Sequence, residues 1–119
     1  MEIKVHSVKG TNIAELISNE ILIDTSAEGN ALLADLYYQD FDKIILHLKN
    51  IGVDFFDLSN GIAGAVLQTS SNFRLRLVFV GQPAMFEKQS LIDFIRESNR
   101  GRQINFLPTV EAALEALSN

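Results

Sequence analysis

The chain has no cysteine in its 119 residues. Disulfides and thiolate metal sites are thereby excluded, and secretion gets no support. Positive charge is scarce too: 10 Lys and Arg against 15 Asp and Glu leave a net charge of −5. Domains that grip nucleic acid are usually basic, and anionic lipid attracts polybasic segments, so neither partner is expected. The opening MEIKVHSVKG lacks a long apolar run and is no signal peptide. No stretch approaches the roughly 20 apolar residues of a membrane span. The expectation is a soluble cytoplasmic protein. Linkers, repeats and low-complexity tracts are also missing, so residues 1–119 read as one domain. What is present is a 47% apolar fraction, enough to bury one core without staples.

The apolar pattern predicts an alternating α/β chain. Ile3, Val5 and Val8 among Lys4, His6 and Lys9 read as a half-buried strand. Gly10, Thr11 and Asn12 supply a turn, and residues 13–17 form a second strand of the hairpin. Ile21, Leu22 and Ile23 fit strand or coil. Thr25 precedes Glu28 by three residues, the spacing of a capping box. The helix after it carries Leu32, Leu33, Leu36 and Tyr37 on one face, is weakened by Gly29 and Asn30, and stops at Gln39 and Asp40. Residues 43–48 are nearly all apolar, as a strand covered on both faces requires.

A helix over about 60–69 follows, then a polar turn at 69–72 and a strand over 73–80. Pro83 marks a loop, and residues 86–99 form a helix with Leu91, Phe94 and Ile95 inward and Gly101 as its C′ stop. A strand over 103–107 ends at Pro108. Thr109 caps a last helix with Val110, Ala113, Leu114 and Leu117 on one stripe. The order is β-β-α-β-α-β-α-β-α: a mixed sheet of about five strands with four helices, antiparallel at the hairpin and parallel beyond it.

Chemistry concentrates where the apolar strand feeds the next helix, at KIILHLKNIGVDFFDLSNGIAG, residues 43–64. Such strand–turn–helix junctions are where α/β proteins place working groups. Ser59 has three readings there. It caps the helix through its hydroxyl; or it is a phosphorylation switch, adding about −1.5 to −2 charges at a helix N-terminus; or its turn binds an anion or nucleotide through the amides of Asn60, Gly61 and Ile62. Gly61 and Gly64, beside Ala63 and Ala65, either pack the helix closely on the sheet or offer a smooth face to another protein. Asp54 and Asp57 read as solvated loop carboxylates, with acid–base or metal chemistry as the alternative. Phe55 and Phe56 cannot both point inward, so one is core and the other forms a contact patch. Arg96, Arg100 and Arg102 around Gly101 complement the helix dipole or make a secondary anion patch. Arg74 and Arg76 share one face of their strand, near the sheet edge or under a second subunit. His6 and His47 have no motif spacing and read as no ligands.

From about Ala31 to Leu117 the chain resembles a STAS domain, the fold of bacterial anti-sigma-factor antagonists. The residues that carry the likeness are the strand at 43–48, the turn Leu58-Ser59-Asn60-Gly61-Ile62, the strand and Gly at 75–81, and the Thr109 helix. In that family the turn is of Asp-Ser-Ser-Gly-Leu type and its first Ser is phosphorylated by a partner kinase. The resemblance puts Ser59 at that position. Leu58 stands in the place of the Asp, and Asn60 in that of the second Ser. FFDLSNGIAG and FIRESNRGRQINF are also similar to a small bacterial family known only as domain of unknown function 4180, which implies no activity.

The expectation is therefore a STAS-like, non-enzymatic protein–protein regulatory module. It presents Phe55, Asp57, Asn60, Gly61 and Gly64 to a protein partner and is switched at Ser59. No cofactor or metal is expected, and self-association is open. The alternative is a domain binding a small anion or nucleotide at the same helix N-terminus.

Overall fold

A computed structural model describes residues 1–82 and 87–119. The expectations of a loop at Pro83 and of a helical start at Phe86 lie outside the described residues. The hairpin strands are β1 (Glu2–Val8) and β2 (Thr11–Ile17). Helix α1 is Ser26–Tyr38, strand β3 is Lys43–His47, and helix α2 is Ile62–Asn72. Strand β4 is Arg76–Val80, helix α3 Gln89–Arg100, strand β5 Ile104–Leu107 and helix α4 Val110–Leu117. Three short 3-10 turns at Leu48–Asn50, Val53–Phe56 and Leu58–Asn60 fill the space between β3 and α2.

The five strands lie side by side in chain order, β1-β2-β3-β4-β5. Only β1 and β2 are antiparallel; the other pairs are parallel. Helices α1, α2 and α3 all pack on one face, where Leu33, Leu36, Ala63, Val66, Leu91 and Ile95 meet Leu16, Ile44, Leu46, Leu77, Phe79 and Phe106. Helix α4 alone packs on the other, with Ala113 and Leu117 against Ile13, Ile45, Val78 and Val80. β3 and β4 are thus buried on both sides, which accounts for their unbroken apolar runs. The β1–β2 end of the α4 face carries polar side chains instead, and the candidate chemistry includes that end.

The ends of these elements follow capping chemistry, with some departures from expectation. Thr25 accepts from the Glu28 amide at 3.1 Å while Glu28 accepts from the Thr25 amide at 3.0 Å, a complete capping box. Thr109 accepts from Ala112 at 3.1 Å. The hairpin turn falls at Lys9 and Gly10, with φ of 53° and 76°, so Thr11 and Asn12 belong to β2 and not to the turn. Two left-handed residues suit the tight two-residue hairpin.

Residues 69–72 are helix and not a turn. Their hydroxyls have helix-to-helix and helix-to-strand partners: Thr69 donates to Asn30 of α1 at 2.7 Å, and buried Ser70 donates to the Leu75 carbonyl at 3.2 Å. α2 then closes with Arg74 at φ 56°, the Arg74 amide on Ser71 O at 3.0 Å and the Leu75 amide on Ser70 O at 2.9 Å. That is a Schellman stop, so Arg74 lies outside the strand expected over 73–80 and does not share a strand face with Arg76. α1 ends the same way, with Asp40 at φ 68° and the Phe41 amide on Leu36 O at 3.1 Å. Gly101 ends α3 in extended geometry, φ −94° and ψ −173°, and is not the left-handed stop expected of it.

Arg76, half-buried on β4, ties the end of the chain to the sheet. Its guanidinium donates to Arg102 O at 2.9 Å, Ala116 O at 3.0 Å and Asn119 O at 3.3 Å. On the α1–α2 side, the tight glycine is Gly29. A Cβ there would lie 2.5 Å from Val66 Cγ2 and 3.2 Å from Ile23 Cγ2. Gly61 and Gly64 have no atom within 4 Å of the Cβ position, so neither serves close packing. Opposite outcomes follow for one substitution. Gly29→Ala is expected to destabilise by about 1–3 kcal/mol, since overpacking outweighs helix propensity. Gly64→Ala, exposed in the first turn of α2, is expected to stabilise by up to about 0.5–1 kcal/mol. Urea unfolding of both variants checks this; equal and opposite signs reversed would refute the packing described.

Candidate functional site

Beyond the carboxyl end of β3 the chain makes a compact loop rather than a direct strand-to-helix turn. Phe55 anchors it: the ring is buried, 5.8 Å from Phe79 and edge-on to Phe56 at 5.3 Å. Phe56 is half-buried and faces a cleft of about 650 Å³ lined also by Ile21, Leu48, Ile51 and Val53. One Phe is therefore core and its neighbour borders a surface cleft, as expected. Val53 is 84% exposed at that cleft.

The polar residues of the loop satisfy one another. Ser59 Oγ donates to Asp57 Oδ1 at 2.6 Å, and the Ser59 amide donates to the same oxygen at 3.2 Å. Asn60 donates from Nδ2 to Asp54 O at 2.7 Å and accepts the Ile62 amide at 3.0 Å. Gly61 takes φ 81° and turns the chain into α2. Two corrections follow. α2 begins at Ile62 and not near Asn60, and Ser59 is not its cap: Asn60 accepts the first helical amide in its place. Of the three amides expected to hold an anion, that of Asn60 already bonds Asp57 O and that of Ile62 bonds the Asn60 side chain.

Ser59, Asp57, Asn60, Gly61 and Gly64 are all exposed, while Phe55 is not. The Ser59 hydroxyl, then its amide, and further the charge of Lys88, hold the Asp57 carboxyl below the usual carboxylate range. Asp54 and Asp57 are solvent-facing, and His47 does not join them. The three arginines around Gly101 have separate partners: Arg96 pairs with Asp93 at 3.6 Å, Arg100 with Glu97 at 3.3 Å, and Arg102 donates to Asn119 O at 2.6 Å.

Sequence reading missed a second cluster. Glu15, 7% exposed at the centre of β2, bonds His6 Nε2 through Oε1 and His47 Nε2 through Oε2, both at 2.7 Å. The three residues come from adjacent strands and share the α4 side of the sheet, with Lys4 directly across β1 from Glu15. Burial pushes the Glu15 carboxyl up, but the bonds and charges of His47 and His6 outweigh it and hold it below its ordinary value. The available signal was Glu15 itself, an acid inside the run Ile13-Ala14-Glu15-Leu16-Ile17, once the turn is set at Lys9-Gly10. Among the described residues, no three His, Cys, Asp or Glu are arranged to hold a metal ion, and no helix is long and apolar enough to cross a membrane.

The family model described as "Domain of unknown function (DUF4180)" matches residues 8–117. The chain belongs to that family. No curated protein and no solved structure matches it. The DUF4180 match spans β2 to α4, so it takes in both the Ser59 loop and the Glu15–His47 pair.

Proposed function

We propose that this domain is a non-enzymatic, STAS-like regulatory module. It docks a protein partner through residues 55–64 and is switched by phosphorylation of Ser59. The observation that supports this is the exposed Ser59–Asp57 bond, on the same loop as the apolar cleft at Val53 and Phe56. Phosphorylation removes the hydroxyl donor and sets about −1.5 to −2 charges beside the carboxylate that accepted it. Repulsion from Asp57 then opens the turn that Asn60 and Gly61 hold in place. Gly64 leaves the exposed side of α2 bare, where a partner can approach closely. The STAS resemblance suggests a kinase-like anti-sigma factor as the kind of partner, in a bacterial cytoplasm. The anion-site alternative is weaker because the Asn60 and Ile62 amides are engaged within the loop.

Affinity capture with wild-type, Ser59→Ala and Ser59→Asp baits, read by mass spectrometry, tests the reading. A partner held by wild type and Ser59→Ala and lost with Ser59→Asp is expected. The same partners on all three baits would refute the switch, and none on any bait would refute the docking role.

A further inference from the structure

The two edges of the sheet are finished differently. β5 forms one edge, and its residue Phe106 turns its backbone groups away from β4. The Asn99 side chain on α3 takes both of them: Nδ2 donates to Phe106 O at 3.1 Å, and Oδ1 accepts from the Phe106 amide at 2.7 Å. Native sheets cover an edge in this way against a further strand.

β1 forms the other edge and has no such cover. Its hairpin fixes which groups look outward. Val8 and Thr11 flank the two-residue turn, so they are a hydrogen-bonded pair, and bonded pairs recur at every second residue. Glu2, Lys4 and His6 therefore bond to β2, while Ile3, Val5 and Ser7 turn their N–H and C=O groups away. Among the described residues, no hydrogen bond reaches those outward groups. The edge is seven residues long and free of proline.

β1 also complements itself. Set a second copy antiparallel about Ile3, and Ile3 faces Ile3 while Glu2 faces Lys4 in both directions. Met1 faces Val5, two apolar side chains that are 59% and 50% exposed. Outward residues meet outward residues, as a bonded ladder requires. Lys4 already lies across from Glu15 on β2, so the pairing completes a row of acid, base and acid over three strands. Opposite charges directly across a strand pair stabilise it, and like charges oppose it. Pairing about Lys4 would set that lysine against itself, and pairing about Val5 makes no ion pair.

We infer that the chain associates with a second copy of itself through β1, antiparallel about Ile3. The contact is two-fold and isologous, and it joins two five-stranded sheets into one. Residues 1–5 on each side are few against the roughly 20–30 of a standard interface, which makes the dimer a reversible one. It uses no residue of the Ser59 loop, so the docking role and this contact stand or fall separately.

Sedimentation velocity of the full chain over a concentration series tests this. Wild type is expected to show a monomer–dimer equilibrium. Glu2→Lys turns both ion pairs into repulsions and is expected to weaken the dimer about tenfold or more. Adding Lys4→Glu exchanges the two charges and is expected to restore the dimer to within about threefold of wild type. Val5→Pro removes an outward N–H and none bonded to β2, a change that an edge strand tolerates, and is expected to abolish the dimer while circular dichroism stays unchanged. It keeps the test valid should the double variant fail to fold beside Glu15. A monomer at every concentration would overturn the inference and leave the edge to a strand of another protein. A dimer that Glu2→Lys or Val5→Pro leaves at full strength, or a folded double variant as weak as Glu2→Lys, would overturn it as well.

Discussion

Replacing Phe79 by Ala is expected to cost about 3–5 kcal/mol, the range for a buried Phe. The ring has no exposed surface, at the centre of the strand covered on both faces. It stacks on Phe106 at 4.9 Å with planes 15° apart and lies 5.8 Å from Phe55. No single neighbour can swing into the space, because Phe106 is held on β5 and Phe55 by its loop. The loss is a large fraction of the about 5–15 kcal/mol that holds an ordinary domain. Phe94, half-buried at the rim and 6.0 Å from Phe106, should cost clearly less. Urea unfolding with unchanged m-values measures both; equal losses would mean that the aromatic stack is not the centre of the core. Because Phe55 anchors the Ser59 loop, Phe79→Ala should also speed amide exchange at residues 53–61.

Glu15→Gln is expected to lower stability by about 1–3 kcal/mol at pH 7, the cost of taking the charge from a buried, doubly bonded acceptor. The pH dependence separates this from mere packing. The folded carboxyl sits below its ordinary value, so near that value the unfolded chain binds more protons than the folded one. Its contribution is complete above about pH 4.3, the ordinary glutamate value, and is lost as pH falls through the lower folded value. The gap between wild type and Glu15→Gln should therefore be widest at neutral pH and shrink below about pH 4. Lys4 across the strand pair is the cation facing it, and the two imidazoles are its hydrogen-bond donors. A gap that stays constant from neutral to acid pH would refute the ionic role.

Much of this architecture was legible because its signals are local. Thr25 and Glu28 are three residues apart, and the apolar run at β3 is continuous. Left-handed stops at Asp40 and Arg74 were not legible, since the usual Gly is missing from both and the Schellman bonds replace that signal. The polar run Thr69-Ser70-Ser71-Asn72 misled because the helix it belongs to buries a hydroxyl and bonds α1. Ser59 reads as the α2 cap in the sequence, but it lies inside a 3-10 turn, and Asn60 and left-handed Gly61 stand between it and the helix. The Glu15 cluster joins residues 9 and 32 positions apart, and a register error of one residue in the hairpin would place its members on opposite faces.

The strand order has a kinetic meaning. Each strand's sheet neighbours are also its neighbours along the chain, so no strand must wedge between two that are already paired. Each parallel connection carries one α-helix, with three 3-10 turns added between β3 and α2, so loop entropy is spent in limited steps. A chain emerging amino end first would always present one open edge, and the next segment to appear is the one that belongs on it. The hairpin can seed the sheet, and β5 with α4 closes it last. Arg76 then ties the carbonyls of Arg102, Ala116 and Asn119 back to β4.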